Sequence, residues 1–233
     1  GIEKQYVSKK ALEYWKKFKK KHSVGKIITF VGSGHPPNYT GFTDIFGNDS
    51  SFLPQGAKII IAGGVSEYFK ITYDYERKSK RFGKFWKNII PVGFLEEDLL
   101  SGLIESSDVI ILPITSGGGS NLKTAEAILS GKKVIATRHA FRGFEQYMSL
   151  PNIHVADNKK EFIELLVENL STKTKSRGKQ DVELANQVTW EKCLSPLEPA
   201  LNKLTRPNAV YILNWMKMRT RGILGRIRHA LAK

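Results

Sequence analysis

The sequence predicts an α/β domain built on an open, mostly parallel sheet with helices on both faces. Three observations lead to this fold class. Short β-branched segments alternate with amphipathic stretches of helical length, Gly, Pro, Ser or Asn follows each strand-like segment closely, and most of these segments are almost continuously apolar. Nearly continuous apolar strands are typical of parallel sheets, which are buried on both faces. Alternating strands and helices then give a doubly wound arrangement.

Each element is predicted from its local pattern. Strands are predicted at Lys26–Val31, Ala57–Ala62, Asn88–Val92, Asp108–Leu112, Lys133–Thr137 and Ile153–Ala156. Helices are predicted between and after them, over about 39–48, 65–86, 96–106, 120–130, 141–148 and 158–170. A lysine-rich helix at 4–21 is interpreted as a solvated interdomain segment. A late helix over about 181–204 is expected to pack across the sheet edge.

Charge divides the chain into three predicted segments. The formal net charge is +15, of which residues 1–26 carry +7 and residues 206–233 another +7, so that 27–205 carries only +1. We predict a basic linker helix at 1–23, a Rossmann-like domain at 24–205 and a C-terminal basic helix at 206–233. A nucleic-acid-binding domain more often carries its basic face on the fold itself, so no nucleic acid partner is expected.

Composition excludes several other classes of protein. Cys193 is the single cysteine, so no internal disulfide can form. No apolar run reaches the roughly 18–20 residues of a membrane span, and residues 1–26 lack the apolar core of a signal peptide. We therefore expect a cytoplasmic protein.

Glycine recurs where the predicted strands end, which is where open α/β sheets bind ligands. The segments in question are Gly32–Gly34, Gly63–Gly64, Gly93–Phe94, Ser116–Asn121 and Arg138–Phe144. At any one of these places the glycines can be ordinary turn residues. Their recurrence favours a ligand site along this edge.

The segment after the fourth strand predicts an anion site. Three glycines, Gly117, Gly118 and Gly119, allow the backbone to approach a ligand closely. Ser120 or Asn121 can cap the helix that follows, whose first-turn amides have no intrahelical partner. These amides and the positive end of the helix dipole suit a diphosphate.

Glu126 lies in the same helix, about 9 Å along its axis from Ser120 at 1.5 Å per residue. We predict that Leu122, Ala125 and Leu129 form the buried stripe and that Glu126 lies beside it. This spacing matches the distance between the diphosphate and the ribose of a nucleotide, so Glu126 is predicted to bind ribose hydroxyls. The alternative is a surface ion pair with Lys123 or Lys133.

These residues resemble the nucleotide-sugar half of GT-B-fold glycosyltransferases of the family 4 type. The resemblance is carried by Gly118-Gly-Ser-Asn-Leu-Lys-Thr-Ala-Glu126-Ala and Ser130-Gly-Lys-Lys-Val-Ile-Ala-Thr137, in that order and spacing. It extends over about 24–205 and includes Ile28-Thr-Phe-Val-Gly-Ser-Gly34, Ile90-Pro-Val-Gly-Phe94 and Val188-Thr-Trp190. It implies one half of a GT-B fold.

The resemblance also implies a donor site. The diphosphate or its sugar would lie against Gly118, Gly119, Ser120, Asn121, Leu122 and Lys123, with Gly32 and Ser33 facing it from the first strand. Glu126 would bind the ribose, and Val92 and Phe94 would border the base. Arg142 would neutralise a phosphate, unless it is simply an exposed arginine. No catalytic residue is assigned.

Two positions depart from the family pattern. The family often has a Glu eight residues before the ribose-binding one, where this chain has Gly118, and its frequent basic pair after the first strand is replaced by His35-Pro-Pro37. The expected activity is transfer from a nucleoside-diphosphate sugar to a glycan or lipid-linked acceptor, with retention. Gly118 in place of an acid favours an alternative, a non-catalytic nucleotide-sugar-binding module or a subunit that needs a partner chain.

No metal or cofactor is expected. The sequence has no Asp-x-Asp, no Walker loop and no complete dinucleotide fingerprint, and its five histidines are scattered. The acceptor half is expected to be missing, because Gly1-Ile-Glu3 resembles the link that leaves the first half of such enzymes. The tail at 206–233 is interpreted as an amphipathic helix on the inner face of an anionic membrane. Alternatively it packs on the missing half or is disordered, and a nucleic-acid-binding protein that uses both basic ends is a further alternative.

Overall fold

The chain forms a six-stranded sheet at the centre of its first unit. The structure is a computed structural model that describes residues 2–3, 6–47, 49–78, 84–118 and 121–202. All strand pairs are parallel, in the order β3-β2-β1-β4-β5-β6. The strands are β1 Lys26–Val31, β2 Ala57–Ala62, β3 Ile89–Gly93, β4 Val109–Leu112, β5 Lys133–Thr137 and β6 Ile153–Ala156. The predicted fold class and all six strands are confirmed.

The chain order of the strands creates a switch point between β1 and β4. From β1 the chain proceeds outward through β2 to β3, and then returns to place β4 on the other side of β1. Ile28 pairs with Val109 and Thr29 with Ile110 across this junction. In open α/β sheets, the crevice at such a point, outside the carboxyl ends of the strands, is where ligands bind.

Seven helices belong to the first unit among the described residues. They are α1 Lys9–Lys21, α2 Pro36–Phe46, α3 Val65–Lys78, α4 Glu97–Ser106, α5 Leu122–Ser130, α6 Lys159–Ser171 and α7 Lys179–Asn186. Two predicted helices differ. The one at 65–86 ends at Lys78, with a separate 3-10 turn at Lys84–Lys87, and the one at 141–148 is replaced by 3-10 turns at Arg138–Phe141 and Glu145–Tyr147. Gly143, with φ +81°, separates these last two turns.

Two apolar clusters cover the two faces of the sheet. Alternate residues of a strand point to opposite faces, and here Ile28 and Ile59 belong to one cluster while Ile27 and Ile60 belong to the other. The first cluster includes Phe42 of α2, Phe69 of α3 and Phe162 of α6. The second includes Trp15 of α1 and Leu103 of α4.

Helix α1 packs on the sheet domain along one side. Trp15 is fully buried and its indole nitrogen donates to the Leu99 carbonyl at 2.8 Å. A Cβ on Gly102 would lie 2.8 Å from the Cβ of Ala11, so this glycine permits the close approach of α1 and α4. The interpretation of the lysine-rich helix as a solvated segment is therefore wrong for the helix face that carries Ala11 and Trp15.

The predicted domain boundaries stay predictions.

A second unit spans Trp190–Lys233. It contains α8 Trp190–Leu194 and α9 Leu197–Asn202. The predicted continuous helix at 181–204 is therefore wrong, because the chain leaves α7 and forms a parallel bridge between Thr189 and Ile2 within the first unit. The predicted basic helix at 206–233 lies outside the described residues. No helix in the described part of the chain has the length and apolar character needed to span a membrane.

Candidate functional site

The carboxyl ends of β1 and β2 are packed backbone against backbone. A Cβ on Gly63 would lie 2.4 Å from the Gly32 carbonyl oxygen, and one on Gly64 would lie 2.5 Å from the Gly34 nitrogen. Gly63 also has φ +84°. Close backbone packing thus explains why glycine occupies positions 63 and 64. Ser33 is exposed beside them.

The loop that leaves β4 crosses α2 closely. A Cβ on Gly41 would lie 2.2 Å from the Pro113 carbonyl oxygen, so only glycine fits there. Gly117 has φ +106°, in the left-handed region. Among the described residues nothing lies within 4 Å of the position that a Cβ on Gly118 would take. The backbone at Gly118 is therefore open to a ligand, whereas Gly119 and Ser120 lie outside the described residues.

The start of α5 differs from the prediction in two respects. Asn121 occupies the N-cap position, but its side chain makes no capping hydrogen bond and donates instead to the Ala140 carbonyl at 3.2 Å. Leu122 is 51% exposed, and the buried face of α5 consists of Thr124, Ala125, Ala127 and Ile128. The predicted stripe of Leu122, Ala125 and Leu129 is therefore wrong at Leu122.

Lys123 connects α5 to the end of β1. Its ammonium group donates to the side-chain oxygen of Asn38, which is buried in α2. The Asn38 amide nitrogen donates in turn to the Ser33 carbonyl at 2.9 Å and to the Ser33 hydroxyl at 3.1 Å. Burial lowers the pKa of Lys123 to about 8, an effect that the nearby Glu126 carboxylate opposes. We call the space bordered by Ser33, Asn38, Gly117 and Lys123 the switch-point crevice.

Two basic side chains contact the loop from the end of β5. Arg142 Nη1 donates to the Gly117 carbonyl at 2.7 Å. His139 Nε2 lies 3.1 Å from the same oxygen and 3.2 Å from Arg142 Nη1. The structure thus brings Arg142 to the predicted diphosphate loop. Sequence analysis did not single out His139, although its place three residues before Arg142 in the same turn could have indicated it.

Glu126 lines a different space. It contributes to a cavity of about 460 Å³ that we call the α4–α5 cavity. Its other walls come from α4, α5, α7, Arg177 and the N-terminal segment and include Ser101, Ile104, Glu105, Leu129, Val182 and Ala185. None of Gly118, Asn121, Lys123 and Arg142 lines this cavity. The structure therefore does not place Glu126 in one cavity with these four predicted diphosphate residues.

The Glu126 carboxylate has no hydrogen bond or ion pair with any residue that the structure describes. Burial raises its pKa, and the positive charge of Lys123 opposes that shift. Lys133 is held elsewhere, because its ammonium group donates to the carbonyls of Asn169 and Thr172. The alternative of an ion pair between Glu126 and Lys133 is therefore wrong, and Lys123 acts on Glu126 only by longer-range attraction.

The two residues predicted to border the base differ in exposure. Phe94 is 79% exposed, and its ring tip lies 3.2 Å from where a Cβ on Gly64 would be. The ring therefore reaches from the end of β3 over the end of β2. Val92 packs instead against the cluster beneath α1 and α4. Phe94 is thus the more exposed of the two residues. Base binding by either residue stays a prediction.

Comparison with known proteins identifies the family of this chain. The family model described as "Glycosyl transferases group 1" matches residues 25–172. This range contains the whole sheet, the loop after β4, α5 and α6. The chain belongs to the group 1 glycosyltransferases. The resemblance drawn from the Gly118–Thr137 motif is thereby confirmed at the level of the family.

Solved structures place this group 1 glycosyltransferase chain among Rossmann-like halves of the GT-B fold. A structure described as trehalose-6-phosphate from E. coli bound with UDP-2-fluoro glucose has 13% identity and a TM-score of 0.55, over 88% of this chain and 51% of that one. A UDP-forming α,α-trehalose-phosphate synthase from Burkholderia xenovorans has 16% identity and a TM-score of 0.54, over 83% of this chain and 49% of that one. At such low identity these similarities establish the fold only.

The chain spans about half the length of these two structures. No curated protein matches it in sequence. The GT-B comparison therefore covers one of two halves, and the activity of a complete two-domain glycosyltransferase belongs to the proposals below.

Proposed function

We propose that this chain is the donor-binding half of a glycosyltransferase that takes its sugar from a nucleoside diphosphate. One observation carries the proposal: at the switch point of the sheet, Arg142 contacts the loop before α5 at Gly117, Lys123 lies in the first turn of α5, and no described residue blocks the backbone at Gly118. A helix N-terminus flanked by two cations is suited to a diphosphate. The similarly folded E. coli structure was solved with UDP-2-fluoro glucose, which supports this class of ligand.

In the proposed complex, the diphosphate binds two cationic groups that contact other residues of the protein in its absence. The Lys123 ammonium group would exchange the neutral oxygen of Asn38 for a phosphate oxygen. The Arg142 guanidinium, anchored on the Gly117 carbonyl, would contact the same diphosphate. Asn38 and Ser33 would keep the crevice in shape. Little reorganisation is needed beyond the release of Lys123, since Asn38 is already hydrogen-bonded to Ser33.

Glu126 and Phe94 would hold the nucleoside. A partly buried carboxylate without hydrogen-bond donors is unfavourable, and the two hydroxyls of a ribose would supply them. Each hydrogen bond to a charged acceptor contributes about 1.5–3 kcal/mol. The exposed Phe94 ring offers a face on which a base can stack. Glu126 therefore binds the ribose, and Phe94 borders the base.

The proposed reaction transfers the sugar to a glycan or lipid-linked acceptor that a second domain presents. As the sugar leaves, negative charge grows on the diphosphate, and Lys123, Arg142 and the α5 dipole would stabilise it without a metal ion. Retention of configuration is part of the proposal by resemblance to the family. Positioning donor and acceptor together supplies much of the rate enhancement, so we expect little transfer by this chain alone.

A second candidate is a nucleotide-sugar-binding module without catalytic activity. Gly118 favours it, because the family often carries a Glu at this position. Both candidates require the same donor site and differ only in what a second domain adds. The predicted membrane contact of residues 206–233 stays a proposal independent of either.

Calorimetry on the full chain tests the proposed donor site. UDP, GDP and dTDP are titrated at 50 mM and 300 mM salt, and a single-stranded oligonucleotide serves as the competing ligand. One nucleoside diphosphate should bind with a moderate salt dependence and should not be displaced by the oligonucleotide. Oligonucleotide binding that falls steeply with salt, without any nucleotide binding, would instead support the nucleic-acid alternative and overturn the proposal.

A further inference from the structure

A second cavity opens at the same edge of the sheet, at the ends of β4, β5 and β6. Its volume is about 370 Å³, and we call it the edge pocket. Four elements or loops contribute its walls. They are α2, the loop after β4, the end of β5 with the turn that follows it, and the segment from the end of β6 to the start of α6, and the lining includes Asp44, Thr115, Arg138, His139 and Asp157. Neither the diphosphate nor the nucleoside of the proposed complex occupies it.

The walls of the edge pocket mix hydrogen-bond donors and acceptors. Asp157 is paired with Arg138, with Nε to Oδ1 at 2.8 Å. Thr115 donates its hydroxyl to Asp44 Oδ2 at 2.9 Å. The other carboxylate oxygen of Asp44 accepts no hydrogen bond from any residue in the described ranges. A simple anion would meet two carboxylates here, and an apolar ligand would leave charges unpaired. A neutral ring with several hydroxyls suits both the donors and the acceptors.

The edge pocket adjoins the proposed diphosphate position. Thr115 lies two residues before Gly117, and two residues span at most about 7 Å. His139 lines the pocket and also lies 3.1 Å from the Gly117 carbonyl oxygen. In a sugar nucleotide the sugar is bonded directly to the diphosphate. A diphosphate at the start of α5 therefore presents its sugar within reach of Asp44 and Thr115.

We infer that the edge pocket holds the transferred sugar of the donor, and that Asp44 selects this sugar by accepting hydrogen bonds from its hydroxyl groups. The inference rests on the proposed function, because it requires the diphosphate at α5. Cavities that bind small molecules measure about 300–1,000 Å³. The edge pocket lies at the lower end of this range, as a single sugar ring requires.

The test compares bare nucleotides with sugar nucleotides. UDP, UDP-glucose, UDP-N-acetylglucosamine, GDP and GDP-mannose are titrated into the full chain and into Asp44→Asn, which keeps the shape of the side chain and an acceptor for Thr115. Asp74→Asn, an exposed acid on α3, is the matched control. For the sugar nucleotide that binds best, Asp44→Asn should lose about tenfold in affinity. Its affinity for the bare nucleotide and both affinities of the control should change less than about twofold.

A second measurement needs no variant. In amide spectra of the wild-type chain, the signals of Asp44, Thr115 and Asp157 should shift with the sugar nucleotide and not with the bare nucleotide. An unchanged affinity ratio in a folded Asp44→Asn overturns the inference, and if that variant does not fold, the absence of sugar-dependent shifts overturns it. Failure of the wild type to bind any nucleotide has a different signature. It overturns the proposed function and, with it, this inference.

Discussion

The two charged residues of α5, Lys123 and Glu126, differ in their contacts. On the side of the switch-point crevice, Lys123 is bonded to Asn38, and Asn38 to Ser33, so that three elements hold one another in place. On the side of the α4–α5 cavity, Glu126 has no hydrogen-bond partner among the described residues, and burial raises its pKa. Only one helical turn separates Lys123 from Glu126.

This difference shows how one short helix can serve two purposes. The crevice is organised before a ligand arrives, because its cation already has an acceptor that a phosphate can replace. The carboxylate of Glu126 accepts no hydrogen bond from the described residues, and the hydroxyl groups of a ligand would supply donors. The same helix would thus bind the diphosphate through Lys123 and the ribose through Glu126. Four predictions test this division.

The largest effect is expected for Glu126→Ala. Loss of two hydrogen bonds to a charged acceptor should lower nucleotide affinity about 100-fold in calorimetry. Because the role concerns hydroxyls, the variant should lose less affinity for 2′-deoxy-UDP than for UDP. The control is Glu105→Ala, which lines the same cavity but is paired with Lys132 at 3.0 Å. Equal losses in the two variants would contradict a specific contact between Glu126 and ribose.

Lys123→Met should lower the affinity for a nucleoside diphosphate about 30-fold, because a charge-assisted contact to phosphate is lost. The affinity for the unphosphorylated nucleoside should stay the same, which distinguishes the role of Lys123 from that of Glu126. Lys132→Met, which removes an ammonium group paired with Glu105, serves as the control. If Lys123→Met weakened nucleoside and nucleotide equally, the crevice would not be the diphosphate site.

Donor affinity should fall about tenfold between pH 7 and pH 9. The pKa of Lys123 in the free protein is about 8, and a bound diphosphate favours the charged amine, so binding above pH 8 requires proton uptake. The affinity is therefore highest below pH 8 and declines above it. Titrations with a sugar nucleotide, whose diphosphate does not ionise further in this range, measure the profile. Lys123→Met should show a flat profile, and a slope that persists in it would assign the effect to another group.

The smallest effect is expected for Phe94→Ala. Loss of one stacked base contact corresponds to about fivefold weaker nucleotide binding, at the lower end of the range for aromatic stacking. The melting temperature should not change, because the ring is 79% exposed. Tyr75→Ala, another exposed aromatic residue at 67% on α3, should leave affinity unchanged. Equal affinity of Phe94→Ala and the wild type would remove Phe94 from the site.

Much of the fold could be predicted because its signals are local. Four of the six strands begin and end at the predicted residues, since their apolar runs are bounded by turn-forming residues. The predictions that were wrong concern features that depend on packing against other segments. Leu122 was predicted as buried from helical spacing, but the face that packs on the core is set by Thr124 and Ile128. The predicted helix at 181–204 was broken by the bridge between Thr189 and Ile2, residues far apart in sequence.

The candidate site was predicted in part for the same reason. The glycine-rich loop, Lys123, Glu126 and Arg142 were identified from one contiguous region, 116–142. Asn38 and Asp44 were not, because each meets its partner across the fold: Asn38 is 85 residues from Lys123, and Asp44 is 71 residues from Thr115. His139 was missed although it lies within the region, three residues before Arg142, and its distance to the Gly117 carbonyl identifies it.

The sequence by itself determined the alternation of strands and helices and the parallel sheet, because periodicity and turn residues act over a few positions. Only the tertiary structure decided that Lys123 bonds Asn38 and that Glu126 lines the α4–α5 cavity. It also decided that Trp15 ties α1 to the sheet and that an acid from α2 meets the loop after β4. These outcomes depend on the burial and pairing of side chains from distant segments, and local sequence patterns carry no record of such contacts.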